Sequence, residues 1–356
     1  MALSGFSLMW LRASLVMIGI DGAHDYHHTL PTISNGVNMI RPVMRCALLV
    51  LAVFQGGAPA IAAEPYPSKP IRLIVPFPPG AMTDYVGRLV GEALTKTLNA
   101  SVVVENRPGA SGLIGSDFVR TASPDGYTLG IMTTDATVRM LQRGGSDPVS
   151  EFTHVSMLAS QPMMLIVNAK SRFQTLNDYV QDAKKNPDSV TYGSNGDGSA
   201  THLAMKDFSN RAGIKLVHIP YKGALPALTD VLGGQVDSMP ISFQAGGAQL
   251  RDGGIRALAV SANARLSGAP TVPTFAEAGY PSFEFRLWYG LVAPKGLPDT
   301  LRVQLRDAVQ KAFSTPDMNA RVTSQAADSI AIPAVDPQAF MQAEVKRWST
   351  LLESAR

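Results

Sequence analysis

Short apolar runs alternate with stretches of helical period through most of the 356-residue chain. No other feature constrains the fold as strongly. The runs are Ile71–Val75, Ser101–Glu105, Thr128–Met132, Met163–Val167, Val190–Gly193, Lys215–Ile219, Val236–Pro240, Ile255–Ser261 and Leu287–Val292. Helical patterns fall at 84–98, 111–122, 175–185, 200–212, 225–232, 299–314 and 337–353. A parallel strand pair needs a crossover long enough to hold a helix. The alternation therefore predicts an α/β fold, with mainly parallel sheets and helices on both faces. In the final helix Met341, Val345, Trp348 and Leu352 share one face, which predicts docking on the core.

Two strand-to-helix turns stand out. They read PFPPGAMTD at 76–84 and YGSNGDGSATH at 192–202. In doubly wound sheets, ligands sit at the carboxyl ends of strands, where helices begin. Small residues there let a ligand touch backbone amides, although Pro and Gly also suit a plain tight connection. Each helix start carries about half a positive charge, so two facing starts would offset about one carboxylate without Arg or Lys.

Other chemistries fit these loops poorly. The first turn lacks the Gly-Lys-Ser/Thr ending of a nucleotide loop. The second places Asn195, Asp197 and Ser199 like calcium ligands, but Ala200 replaces the required Gly and Lys206 the bidentate Glu. No Gly-x-Ser-x-Gly elbow or His-Glu-x-x-His helix appears. His202 is expected to cap or pack in its helix, and the isolated His154 and His218 to be structural. Asp84 and Asp230 read as helix-terminus or surface carboxylates. No cofactor and no metal site are expected. Hydrophobic content is 46%, ample for a packed core, while a net charge of +3 without a Lys/Arg run gives no footprint for nucleic acid.

Residues 39–64 read MIRPVMRCALLVLAVFQGGAPAIAAE. Arg41 and Arg45 precede an apolar stretch from Cys46 to Phe54, and Ala60-Ile61-Ala62 supplies a small-x-small site. This order predicts a signal peptide over 39–62, too short to span a bilayer, with the exported chain starting at Ala63 or Glu64. Met39 then reads as the start, and 1–38 as an overextended N-terminal reading. His24, Asp25, His27 and His28 offer metal-ligand types in that extension, but they would leave with the leader. So would Cys46, the sole cysteine, leaving a mature chain without thiol or disulfide.

The resemblance to a known family rests on a series of ordered blocks. They are YPSKPIRLIVPFPPGAMTD at 66–84, VVVENRPGASGLIGSDFV at 102–119, SPDGYTLGIMTT at 123–134, VTYGSNGDGSATHLAMKDF at 190–208, IPYKGALPALTDVLGGQVD at 219–237, IRALAVSANAR at 255–265 and PTVPTFAEAGYPSFEFRLWYGLVAPKGLP at 270–298. Across 64–356 the chain resembles the Bug family, periplasmic substrate-binding proteins associated with tripartite tricarboxylate transporters. The resemblance implies a two-lobed periplasmic binding protein of type II, the Venus flytrap. Lobe one would take 64–161 and 287–356, and lobe two 162–286. It further implies a small organic acid held between the lobes by one loop from each, through backbone amides, hydroxyls and bridging waters. On this chain those loops are Phe77–Asp84, with Phe77, Gly80, Ala81, Thr83 and Asp84, and Ser194–His202, with Ser194, Asn195, Gly198, Thr201 and His202. Thr133, Thr134 and Asp135 would add a further wall.

The chain departs from the family pattern in places. Gly80-Ala81 stands where the family has Gly-Gly, and a Cβ in the left-handed region costs about 1–2 kcal/mol, so a changed loop is expected. Asp135 replaces a small or neutral residue: facing the cleft it would disfavour a second carboxylate and suit an amine or hydroxyl, and on the surface it would do neither. The wall at 136–152 is short and lacks the usual Asn-Pro. Arg286 reads either as partner to a distal anion or as a hinge-surface residue. The implied function is a monomeric, non-enzymatic periplasmic binding protein that serves membrane transporter subunits. A ligand-presenting partner of a membrane receptor is one alternative. A hydrolase on the same scaffold is the other, against which stands the absence of a nucleophile–base motif.

Overall fold

The computed structural model describes residues 66–281, 283–324, 328–329 and 336–354, all within one compact unit, Glu64–Arg356. The expected extension at 1–38 and leader at 39–62 lie outside the described residues. Strand β1 (Ile71–Val75) is wholly apolar apart from Arg72 and runs between β2 (Val102–Asn106) and β3 (Thr128–Thr133), parallel to both. Helix α1 (Met82–Leu98) makes the crossover from β1 to β2, and α2 (Leu113–Arg120) the one from β2 to β3. Parallel pairing recurs where β5 (Thr191–Ser194) lies between β6 (Val217–Pro220) and β7 (Ser238–Ser242), with α5 (Ala200–Ala212) following β5. The remaining early helices are α3 (Thr134–Arg143) and α4 (Leu176–Lys185).

The centre is antiparallel. Strand β4 (Phe152–Asn168) pairs with β9 (Arg286–Pro294) through Pro162, then with β7 and β8 (Ile255–Val260) from Met163 onward. One strand thus runs through both sheets, and the parallel βα units flank it. Its first half carries His154, Ser156 and Gln161 but is buried on both faces, which erases the polar–apolar alternation by which a strand is read.

Three helices were not foreseen. Helix α3 begins with β-branched threonines, which favour helix weakly. Thr133 secures it by accepting a hydrogen bond from the Ala136 amide at 3.2 Å. After α6 (Ala224–Leu232) comes α7 (Phe243–Arg251), which contains Gly246 and Gly247, each costing about 1 kcal/mol of helix propensity. A Cβ on Gly246 would come within 3.0 Å of Ile241, so close packing explains that glycine. After α8 (Asp299–Phe313), α9 (Pro316–Thr323) starts on Pro316 behind the Thr315 cap. Helix α10 (Pro337–Ser354) spans two cores: Met341 joins the cluster of Trp288 and Val292, and Trp348 joins that of Phe208 and Phe285. The Glu344 carboxylate accepts from both indoles, at 2.6 Å from Trp288 and 3.0 Å from Trp348. Among the described residues no helix is long and apolar enough to cross a membrane.

Candidate ligand-binding site

The first turn leaves β1 at Pro76 and enters α1 at Met82. Only Gly80 takes the left-handed region, at φ +89, while Ala81 is extended at φ −81, ψ 167. The expected strain at Ala81 therefore does not arise, because its Cβ sits in an ordinary conformation. Among the described residues no side chain caps α1, which leaves its first-turn amides without a side-chain acceptor; Gly80 and Ala81 just before it are exposed, and Met82 and Thr83 are buried. Asp84 braces the turn from behind. Its carboxylate accepts from the Gly80 amide at 3.0 Å, from Asn106 Nδ2 at 2.9 Å and from Arg88 Nε at 2.9 Å. Asn106 also holds the Phe77 carbonyl, at 3.0 Å. Burial pushes the Asp84 carboxyl up, but the bonds from Arg88, Asn106 and Gly80 outweigh it and hold the group below its usual range. Thr83 is buried beside it.

The second turn is held by its own hydroxyls. Ser199 caps α5, accepting from the His202 amide at 3.3 Å. Thr201 Oγ1 accepts from the Asn195 amide at 2.9 Å, and His202 Nδ1 accepts from the Gly198 amide at 2.9 Å. Thr201 is 1% exposed, so a Thr201→Val variant strands the Asn195 amide. We expect it to lose about 1–3 kcal/mol of stability in urea unfolding. A loss below a few tenths would mean that the hydroxyl does not set the loop.

Helix α3 joins the two turns. The Phe77 ring lies against Gly112, where an added Cβ would stand 3.2 Å from it and 3.1 Å from the Ala136 methyl. At the other end Gln142 Nε2 donates to the Gly198 carbonyl at 2.6 Å. A Cβ on Gly198 would meet that nitrogen at 2.1 Å, so the glycine admits a side chain of the same chain. Thr133 and Thr134 are committed to structure: the first caps α3 and the second accepts from the Trp288 amide at 2.9 Å. Asp135 does not face outward. Its Oδ1 accepts from the Ala200 amide, at 3.4 Å, at the start of α5. Burial pushes its carboxyl up, and that amide draws it only partly back. Burial, then the charge of Asp135, also pushes the Tyr289 phenol up, and the Tyr289 hydroxyl donates to Gln161 Oε1 at 3.3 Å.

No sequence motif marks Gln142, Gln161 or Tyr289, and the turn at 109–112 lies beyond the two strand-to-helix turns. That turn holds Gly109, Ala110, Ser111 and Gly112 at φ +133, +47, +53 and +96. Such a run, with two non-glycine members, is costly and tends to mark a functional loop. The PGASG stretch was its one visible signal. Arg286 is partly buried at the start of β9, and burial holds its guanidinium below the usual range against the pull of Glu284.

His218 is not isolated. Its ring stacks on His202 at 3.9 Å with 9° between planes, and on Tyr192 at 5.0 Å. Burial, then His218, push His202 down to about 4, and burial lowers His218 as well, so the pair is neutral near pH 7. Asp197, His202 and His218 bring ligand atoms within 4.8 Å of one another. A shared metal fits poorly, because lone pairs of parallel stacked rings run side by side instead of converging. With Ser194, His218 and Asp197 imitate a hydrolytic triad: Ser194 Oγ lies 2.7 Å from His218 Nε2, and His218 Nδ1 lies 3.3 Å from Asp197. No sequence motif announces this pair. Ser194 is 0% exposed and its oxygen is bonded to both the amide and the carbonyl of Gly196, while the Asp197 side chain is 80% exposed. A nucleophile needs access and an orienting acid needs burial, so the set braces the loop and does not attack a substrate.

The profile described as "Tripartite tricarboxylate transporter family receptor" matches residues 86–356. The BugT protein of Bordetella pertussis is 34% identical over 313 residues, covering 85% of this chain and 95% of that protein. A Rhodopseudomonas palustris protein solved with adipate superposes with a TM-score of 0.71 at 30% identity, covering 82% of this chain and 98% of its own. MatC from the same organism, with bound malate, gives a TM-score of 0.68 at 28% identity, covering 81% and 100%.

Proposed function

Because this chain belongs to the tripartite tricarboxylate transporter receptor family, a family of periplasmic solute-binding proteins and not of enzymes, we propose that it captures a small carboxylate between two lobes for a transporter of that type. The lobes in this reading are 64–161 with 287–356, and 162–286. The exported protein works in the periplasm as a monomer and releases its ligand unchanged to membrane transporter subunits. One observation carries the reading: α1 starts without a side-chain cap, behind an exposed Gly80-Ala81 turn that Asp84 holds open. Those amides present donors and partial positive charge to a carboxylate. Two solved relatives hold malate and adipate, which makes small organic acids the first probes.

Calorimetry of the exported protein with small mono- and dicarboxylates and their methyl esters tests the proposal. An acid that binds should do so about tenfold or more tightly than its ester, since the ester loses charge-assisted bonds. Equal affinity for acid and ester would overturn the carboxylate reading. Recovery of a chemically altered ligand would overturn the binding role itself.

A further inference from the structure

Asp135 is a carboxylate at the junction of the two turns, and its one hydrogen-bond partner among the described residues is the Ala200 amide, at 3.4 Å. That is a long bond to the amide that a ligand carboxylate would otherwise use. No Lys, Arg or His pairs with Asp135 among the described residues. Unmet hydrogen-bonding capacity lies on the elements around it. Gln161 is 2% exposed, and its Nε2 donor has no partner among the described residues, although its Oε1 is bonded to Tyr289. Asn195 Oδ1, on the second turn, is buried and likewise has no donor among the described residues. Buried polar atoms are normally paired, with protein, with ordered water or with a ligand.

Charge decides what completes them. The starts of α1, α3 and α5 contribute about half a positive charge each, about +1.5 together. An ionised Asp135 takes away one; burial pushes that carboxyl up, and a ligand ammonium held beside it would keep it ionised. A zwitterion or a monoanion leaves the region near balance, whereas a dianion leaves about −1.5 in a partly desolvated place. The acceptors point the same way: Asp135 and Asn195 Oδ1 both call for a donor.

We propose that Asp135 sets the ligand class, so that the site takes a monocarboxylate carrying an ammonium or hydroxyl group and discriminates against α,ω-dicarboxylates. The ligand carboxylate lies at the uncapped start of α1. Its donor group lies at Asp135, with Asn195 Oδ1 as a second acceptor, while Gln161 Nε2 donates to an oxygen of the ligand. This rests on the carboxylate reading above and narrows it.

The test compares, by calorimetry, each dicarboxylate from succinate to adipate with the ω-amino and ω-hydroxy acids of the same length. Malate and the simple α-amino acids complete the panel. The expected result is binding by amino or hydroxy acids and about 10-fold or weaker binding by the matched dicarboxylate. Preference for the amino series identifies an ammonium, and preference for the hydroxy series a hydroxyl. Asp135→Asn keeps the shape and removes the charge; it should weaken the preferred acid about 10- to 100-fold and strengthen the dicarboxylate. Unfolding midpoints of the two proteins confirm that the variant folds. A wild-type protein that binds dicarboxylates as tightly as their amino and hydroxy counterparts overturns the inference while leaving the carboxylate reading intact. Absence of binding by every acid overturns both.

Discussion

Replacing Trp348 with Ala is expected to destabilise the protein by about 3–5 kcal/mol, the range for removing a fully buried tryptophan. Trp348 is 0% exposed, and its ring meets Phe285 edge-on with centroids 6.4 Å apart. The indole nitrogen donates to Glu344 at 3.0 Å, and Glu344 also accepts from Trp288 at 2.6 Å. Trp288 belongs to the cluster beneath β3 and β9, and Trp348 to the cluster around α5. Helix α10 therefore fastens one core to the other through a shared carboxylate. Urea unfolding should show a lower midpoint for Trp348→Ala, with partial recovery in Trp348→Phe, which refills volume but leaves Glu344 one indole short. A loss under about 1 kcal/mol would mean that the helix end docks weakly and that β4 and α3 suffice to join the two cores.

The apolar face of α10 was legible in the sequence as Met341, Val345, Trp348 and Leu352 at helical spacing. Its division between two clusters was not, because periodicity reports a buried face and not which core it meets. The same limit runs through the fold. β1 and α5 were read to the residue, since each is a clean period bounded by turn chemistry. The first half of β4 was missed, since a strand buried on both faces has no period of its own.

The site was legible as two loops and not as a network. Gly80 and Gly198 were visible as small residues beside helix starts, and both take positive φ. Whether Asp135 lay at the surface or reached Ala200 depended on a pairing across 65 residues, which local sequence does not encode. His218 stacks on His202 and bonds Ser194 from a neighbouring strand, so its isolation in sequence said nothing about its surroundings. In sequence Asp84 reads as a helix-terminus or surface carboxylate. It stands buried in the first turn of α1, and its three partners make it the brace of the turn before that helix.

Asp84→Ala is accordingly expected to cost about 2–4 kcal/mol near neutral pH, because it strands the Gly80 amide and Asn106 together. Arg88 contributes little to that figure: its side chain is 55% exposed, and water screens the pair. The pH dependence has a definite sign. Asp84 is held below its ordinary value of 3.8 in the folded protein. Its contribution is therefore fully present above that value and disappears as pH falls through the folded pKa. Unfolding of wild type and Asp84→Ala at a series of pH values should show a constant gap from neutrality down to about pH 5, closing in stronger acid. Other carboxylates also lie low, Glu92 at about 2 among them, but they titrate in both proteins and cancel in the difference. The variant should also weaken binding of any acid whose wild-type affinity is known, since Gly80 loses its tether. A gap that persists unchanged in strong acid would show that packing, not the ionised carboxylate, holds the turn. Full acid binding by Asp84→Ala would show that the turn keeps its shape without its brace.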